Sequence, residues 1–379
     1  MTPNRLARGT ILASATLTIM APALIAPSLP AMEEVYGSPL LVRLAMTITS
    51  LAVAVTAPLS GLAADRVGRR PLLVASLLLY TVSGTAGYFT TDLVLLLVTR
   101  TLLGVAVGGI MTAVNATITD WFDGPARVSF LGLQQVFASL SGVVFLPVAG
   151  VLATIGWRIP FWLYGVAAVV ALCALLAVHD RPRTTVPATT GRVPTGQVLG
   201  IYALALAATV VFFMAPTQVP FLLAERGNGP IIVGLVVAGS TLTSMLGGYG
   251  FPALSRRLDP GAINALCVGL LGAGWLLVGS TGTAAGIAAG LLAGGLGVGF
   301  AIPNLTLRLS DLAPPAWRGR VFSGLVAGIF LGQFVSPLVV QPLVRTGGVA
   351  DAFTWTGTLM VVSAAVAAAR LTTTERTIR

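Results

Sequence analysis

The stretch GLAADRVGRR, residues 61–70, decides how the rest of this sequence is interpreted. It lies between two apolar segments, 39–62 and 71–89, and each of them is long enough to cross a bilayer. One acid and three arginines fall within its last six positions, with a glycine at 61 before them and another at 68 among them. Because glycine has no Cβ, we expect the two glycines to allow a tight turn and a close approach of helices. The stretch therefore predicts a charged hairpin between two membrane spans.

The composition is that of a helical membrane protein. Of the 379 residues, 56% are hydrophobic and 9% are charged, whereas about 25% of residues are charged in soluble domains. Apolar runs recur along almost the whole chain, each long enough for the ~30 Å hydrocarbon core of a bilayer. Counting these runs predicts twelve spans and excludes a soluble globular fold.

The positive charge is distributed as a membrane topology requires. The chain has 22 arginines, no lysine and 12 acids, and its net charge is +10. Seventeen of the arginines fall in the two tails and in alternate loops, and four fall in the opposite loops. Because Lys and Arg accumulate on the cytoplasmic side, this split predicts that both termini are cytoplasmic. It favours topology over nucleic-acid binding as the reason for the basic charge.

The chain also contains an internal repeat. Residues 180–196 are rich in Pro, Thr and Arg and predict a cytoplasmic linker between two six-span halves, 1–179 and 197–379. Several positions of the first half recur in the second at offsets of 191 to 194 residues. The recurring pairs are Met20 with Met214, Gly104 with Gly295, Gly108 with Gly299, Asp120 with Asp311, and Arg127 with Arg318. Two parallel six-span halves are a known plan of secondary transporters.

With this hairpin, span count and repeat, the chain resembles the major facilitator superfamily over essentially its full length. The resemblance implies an all-α integral membrane fold with twelve transmembrane helices in two pseudo-symmetric six-helix bundles, which alternate access to a central cavity without ATP or another cofactor. It also implies that the hairpin latches the cytoplasmic face near the start of span eleven, 317–320. The gate residues expected from the hairpin and the repeat are Gly61, Asp65, Arg66, Gly68, Arg69, Arg70, Asp120, Arg127, Asp311 and Arg318.

Physical arguments single out Asp65 within the latch. An acid near a helix N-terminus is stabilised by ~0.3–1 kcal/mol, and neighbouring arginines can bridge adjoining segments. The matching loop of the second half has Leu254 where an acid would align, so we expect a one-sided latch that depends on Asp65. The alternative is that these arginines only fix topology.

Arg100 is the second residue of interest, because it lies inside an apolar span. An arginine there costs ~2.5–3.5 kcal/mol on insertion scales, so it should face the bundle interior or a water-filled cavity. We expect it to be the one fixed charge embedded in the membrane, with snorkelling toward the outer interface as the alternative. Arg100 and Gly104 partly resemble the span-four motif of the superfamily's proton-coupled members. Gly142, Pro147 and Gly150 match three positions of its antiporter motif, although close helix packing explains them equally well.

Proton coupling has no obvious carrier, because no acid lies near the middle of a span. Glu33, Glu34 and Asp65 are the titrating candidates by default. If the resemblance holds, a few polar and apolar side chains should line the transport cavity. The polar candidates are Asn115, Gln134, Gln135, Gln218, Asn304 and Gln333, and the apolar ones are Met20, Phe213 and Met214.

The sequence thus predicts a secondary transporter, most simply a proton-coupled exporter of a small organic solute. The expected setting is the cell (inner) membrane, with the chain as a monomer whose partners are the solute, protons and lipid, but no nucleic acid or metal. Alternatives are an importer or facilitator of a metabolite, and a non-transporting receptor or scaffold. An intramembrane enzyme is disfavoured, because one His, two isolated Cys and no embedded carboxylate pair supply no catalytic constellation.

Overall fold

The computed structural model describes residues 4–179, 194–313 and 317–378, without the side chains of residues 65, 128, 318, 319 and 371–378. The chain divides into two compact units, Met1–Pro187 and Ala188–Arg379. The linker predicted at residues 180–196 lies mostly outside the described residues. All regular structure in the described residues is helical.

The described residues of the first unit form seven α-helices and two short 3-10 turns, Ala26–Ser28 and Ile159–Gly165. The helices are α1 (Arg5–Ala23), α2 (Leu29–Tyr36), α3 (Pro39–Val67), α4 (Arg69–Phe89), α5 (Leu93–Trp121), α6 (Gly124–Ile155) and α7 (Val166–Ala177). Pro22, Pro27 and Pro30 account for the break between α1 and α2, because proline removes a backbone donor and clashes with the preceding turn. The stretch Arg5–Tyr36 is therefore one broken span.

The second unit contains six described helices. They are α8 (Thr195–Phe212), α9 (Met214–Glu225), α10 (Pro230–Leu254), α11 (Pro260–Ser280), α12 (Ala284–Leu312) and α13 (Arg318–Ile378). Helix α13 is interrupted at Gly348, whose φ of 82° and ψ of 176° are not helical. The described residues hold eleven stretches long and apolar enough to span a membrane, and the last of them, Arg320–Arg370, counts as two because of this break. The predicted twelve spans are confirmed.

Glycines create the same close helix contact in each unit. A Cβ on Gly104 of α5 would overlap the carbonyl oxygen of Thr49 on α3. A Cβ on Gly295 of α12 would likewise overlap the carbonyl oxygen of Ser240 on α10. Small residues at such positions let helix backbones approach closely in a membrane. The repeat seen in the sequence therefore corresponds to one packing solution used twice.

Side chains brace the broken first span of each unit in a matching way. In the first unit, Ser141 donates to the carbonyl of Thr16 over 2.7 Å and Tyr80 to that of Leu17 over 2.8 Å. In the second unit, Ser336 donates to the carbonyl of Val210 over 2.7 Å, and Trp275 donates to the carbonyl of Val211 over 3.0 Å. A backbone that bends inside a membrane needs such neighbouring donors, since lipid offers none.

Candidate gating and transport site

The signature hairpin is tighter than the sequence predicts. Helix α3 continues to Val67, and Gly68 alone, with φ 99°, separates it from α4. Gly61 lies within α3, and beyond its own helix backbone no described atom comes within 4 Å of the place its Cβ would take. The prediction that Gly61 takes part in the turn is therefore wrong. Leucine, alanine and arginine after Gly61 favour helix, which outweighs the single glycine.

Asp65 also lies elsewhere than expected. Its backbone belongs to the last turn of α3, which ends at Val67. The end of a helix carries partial negative charge, so the expected gain from a helix N-terminus does not apply within α3. The side chain of Asp65 is outside the described part of the structure, and its role as a latch stays a prediction.

Arg69 joins the ends of three helices. Its Nε lies 2.9 Å from Oδ2 of Asp120 in the last turn of α5, and both side chains are largely buried, with 16% and 25% exposed. Its Nη1 donates to the carbonyl of Ala64 near the end of α3 over 3.0 Å. Arg70 donates to the carbonyl of Leu175 on α7, whereas Arg66 is exposed. Arg69 and Asp120, two of the predicted gate residues, are thus in direct contact.

Arg127 satisfies the exposed carbonyls at the end of α5. It donates to Phe122 over 2.8 Å and to Thr119 over 3.0 Å, and it pairs with Asp123 at 3.0 Å. An arginine at a helix C-terminus suits the partial negative charge there. In the second unit Asp311 is exposed at the end of α12, and the side chain of residue 318, the counterpart of Arg127, is not described.

Arg100 is enclosed by protein, as the sequence predicts. Its side chain is 1% exposed. Its Nη2 donates to the carbonyls of Ser83 and Gly84 on α4 over 3.2 and 2.9 Å. Its guanidinium lies over two aromatic rings, 4.8 Å from the centre of Phe161 and 5.0 Å from that of Tyr164. Carbonyl oxygens and ring faces both stabilise a buried cation, so Arg100 does not snorkel.

The aromatic rings connect Arg100 to the broken first span. Tyr164 donates to the carbonyl of Ala21 over 2.7 Å, and it packs edge-on against Tyr80 with the ring centres 5.5 Å apart. Ala21 belongs to the last turn of α1, where carbonyls lack helical partners. Sequence reasoning missed this cluster. Its only signal was that Tyr80 and Tyr164 fall inside spans, and that signal is weak because five of the chain's six tyrosines do so.

A second arginine, Arg43, is also enclosed by protein, near the start of α3. Arg43 is 3% exposed, and its Nη1 donates to Oε2 of Glu33 over 3.1 Å and to the carbonyl of Pro39 over 2.9 Å. Helix α2 returns over the start of α3 and brings the carboxylate to the guanidinium, which compensates its buried charge. Glu34 is exposed. Of the two predicted acids on α2, Glu33 is the one that pairs with a buried side chain.

The predicted lining residues have different surroundings. Met20, Met214 and Gln218 are fully buried and Phe213 nearly so. Asn304 holds α12 to α11 by donating to Oδ1 of Asn264 over 2.7 Å and to the carbonyl of Pro260 over 3.0 Å. The others lie closer to the surface: Asn115 and Gln135 are exposed, and Gln134 and Gln333 are half-buried. A part in transport stays a prediction for all of them.

Comparison with protein families decides the classification. The family model of the Major Facilitator Superfamily matches residues 11–337. The chain belongs to the major facilitator superfamily. Proteins of this superfamily are transporters and not enzymes, and the chain is accordingly a multi-pass membrane transporter.

Several curated members of the superfamily are similar in sequence. The multi-drug resistance efflux pump PmrA of Streptococcus pneumoniae is 24% identical over 315 residues, 78% of this chain and 77% of the pump. A triacylglyceride transporter of Mycolicibacterium hassiacum is 31% identical over 235 residues, 58% of this chain and 42% of that one. The hexuronate transporter of Bacillus subtilis is 24% identical over 159 residues, 41% of this chain and 38% of that one.

Solved structures of the superfamily share the fold. A bacterial homologue of the human lysosomal transporter Spinster matches with a TM-score of 0.76 at 16% identity, over 97% of this chain and 96% of that one. The human organic anion transporter MFSD10 matches with a TM-score of 0.68 at 18% identity, over 97% of this chain and all of that one (100%). The predicted fold of two pseudo-symmetric six-helix bundles is confirmed.

Proposed function

We propose that this transporter exports a small organic solute from the cytoplasm in exchange for protons. The observation that carries the proposal is the similarity to a multi-drug resistance efflux pump over 78% of this chain and 77% of the pump. A match over that share of the chain is longer than either half, so it includes parts of both.

Glu33 is the acid that we propose to carry the proton. Its carboxylate pairs with Arg43, which is 3% exposed, while Glu33 itself keeps 28% of its side chain exposed. A proton can therefore reach the carboxylate from solvent. Protonation would remove the negative charge of Glu33 from beside the buried guanidinium of Arg43, a change that favours rearrangement of α2 against α3. Proton binding and a change of conformation would be coupled in this way.

The proposed cytoplasmic gate is the hairpin with its neighbours. The ion pair between Arg69 and Asp120 and the capping of α5 by Arg127 support it, since they hold the ends of α3, α4 and α5 together. Asp65, Asp311 and Arg318 would complete the gate in one state and part in the other. Such contacts shift a two-state equilibrium by their difference in free energy between the states.

The proposed setting is a cell (inner) membrane with both termini in the cytoplasm and with the chain acting as a monomer. The distribution of arginine supports this orientation, because 17 of the 22 lie on the side that holds the tails. The halves 1–179 and 197–379 would move about the linker 180–196. A neutral, amphipathic or weakly anionic solute would suit a pathway lined by Met20, Phe213, Met214 and the polar side chains predicted above.

Import of a metabolite is the second candidate, favoured by the similarity to a hexuronate transporter over 41% of this chain. Purified protein in liposomes separates the two. With an acidic interior, export by antiport predicts that amphipathic dyes accumulate inside the vesicles as protons leave. Import by symport predicts that a hexuronate accumulates only when the exterior is acidic. No gradient-dependent flux of either solute class would count against both and favour a receptor or scaffold.

A further inference from the structure

A groove runs along the second unit between α11 and the final part of α13. Its volume is about 770 Å³, which falls in the ~300–1,000 Å³ range of small-molecule sites. Small residues line its length: Ala262, Ala265, Gly269, Ala273, Ala364, Ala365 and Ala368. Arg257, Leu258 and Asp259 close one end, where the chain enters α11. The groove is therefore apolar along its length and charged at one end.

The groove opens because the two helices separate toward that end. A Cβ on Gly279 would lie 2.6 Å from the carbonyl oxygen of Ala350, and one on Gly272 would lie 2.8 Å from the backbone nitrogen of Val361. At Gly269, nearer to Arg257, the nearest atom is the side chain of Ala364 at 3.6 Å. The backbones of α11 and α13 are therefore in tight contact at Gly279 and Gly272 and farther apart at Gly269.

Hydrocarbon is the natural content of the apolar part. Leu258 and Leu266 beside it are each 37% exposed, as expected of side chains that meet lipid. A void between two membrane spans would forfeit dispersion contacts along its whole lining. A flexible acyl chain can fill such a narrow channel of methyl groups.

The charged end favours an anion. The guanidinium of Arg257 is exposed and makes no ion pair or hydrogen bond with any residue that the structure describes, and Arg256 beside it is exposed too. The carboxylate of Asp259 accepts from the backbone nitrogens of Gly261 and Ala262 over 3.0 and 3.3 Å. That acid is engaged with the N-terminus of α11, so the unmatched charge at the rim is positive.

We propose that this groove binds an anionic phospholipid, with an acyl chain along the alanines and glycine and the phosphate at Arg257. Basic residues next to a membrane span attract anionic headgroups, and direct contact of Arg257 with the phosphate would strengthen binding about fivefold. A second copy of the chain fits the groove less well, because it would bury Arg257 in an apolar contact, and Asp259, the acid that lines this end among the described side chains, already caps α11.

Native mass spectrometry of the purified full chain tests the proposal, with phosphatidylglycerol and phosphatidylcholine added in separate titrations. We expect wild type to bind phosphatidylglycerol about fivefold or more tightly than phosphatidylcholine. Arg257→Gln should remove that preference. Arg256→Gln is the matched control, since it deletes the same charge one residue away from the lining and should keep most of the preference.

A second pair of variants tests the apolar part. Ala368→Leu should fill the groove and weaken binding of both lipids, whereas Ala367→Leu, one residue away and not part of the lining, should leave both unchanged. Equal binding of the two lipids by wild type, or an unchanged preference in Arg257→Gln, would overturn the proposal. So would a wild-type dimer that Ala368→Leu dissociates, because the groove would then be an interface between copies. If Ala368→Leu does not fold, the arginine pair still decides.

Discussion

Adding one methyl group at three glycines should change stability in opposite directions. At Gly104, a Cβ would overlap the carbonyl oxygen of Thr49 and lie 2.6 Å from the Cβ of Ala52. At Gly295, a Cβ would overlap the carbonyl oxygen of Ser240. At Gly61 the same methyl would meet no described atom within 4 Å outside the backbone of its own helix.

The magnitudes follow from these surroundings. The obstacle at Gly104 and Gly295 is backbone, which cannot rotate away, so the paired helices must separate. Overpacking of this kind costs ~1–3 kcal/mol of the free energy of unfolding. At Gly61 only the helix preference acts, and alanine is favoured over glycine there by ~0.5–1 kcal/mol. Gly104→Ala and Gly295→Ala should therefore be destabilised alike, and Gly61→Ala should be slightly stabilised.

Thermal unfolding of the three purified variants in one detergent measures the contrast. We expect the midpoint to fall for Gly104→Ala and Gly295→Ala and to hold or rise for Gly61→Ala. A stable Gly104→Ala would refute the close contact of α3 with α5. Loss of stability in Gly61→Ala would mean that residue 61 belongs to a tight contact or turn after all.

Two further variants probe the gate and the brace of the first span. Asp120→Asn should slow transport about fivefold or more, because it removes the charged partner of Arg69. The two side chains are only 16% and 25% exposed. A change of ~1 kcal/mol in the free-energy difference between two states shifts their ratio by about fivefold. Asp123→Asn is the control, because the side chain of Asp123 is 98% exposed and exposed ion pairs contribute little to stability. Equal effects of the two variants on the transport rate would contradict the gate. Tyr164→Phe should lower the free energy of unfolding by ~1 kcal/mol through loss of the hydrogen bond to Ala21, and an unchanged thermal midpoint would show that this bond does not brace α1.

The bilayer explains why so much of the fold could be predicted. A span must cross a fixed thickness of hydrocarbon, and its backbone N–H and C=O groups must hydrogen-bond with each other. The length of an apolar run therefore identifies a span. Helix ends are a different matter. The apolar run before the hairpin ends near residue 62, yet α3 continues to Val67, because hydropathy reports where lipid ends and not where the helix does.

The site was less predictable, because its contacts join residues far apart in the sequence. Arg43 follows Glu33 by ten residues and meets it only because α2 turns back onto α3. Tyr164 reaches a carbonyl 143 residues earlier in the chain. Arg69 and Asp120 were both predicted as gate residues, and yet nothing in their spacing says that they pair.

Proton-coupled export is tested most directly by the Glu33→Gln variant in liposomes with an acidic interior. Wild type should accumulate the transported dye, and a protonophore should abolish the accumulation. Glu33→Gln should lose accumulation but keep downhill exchange of the dye, and Glu34→Gln, which alters the exposed neighbour, should behave as wild type. Full accumulation by Glu33→Gln, or wild-type accumulation that survives the protonophore, would contradict the proposed coupling.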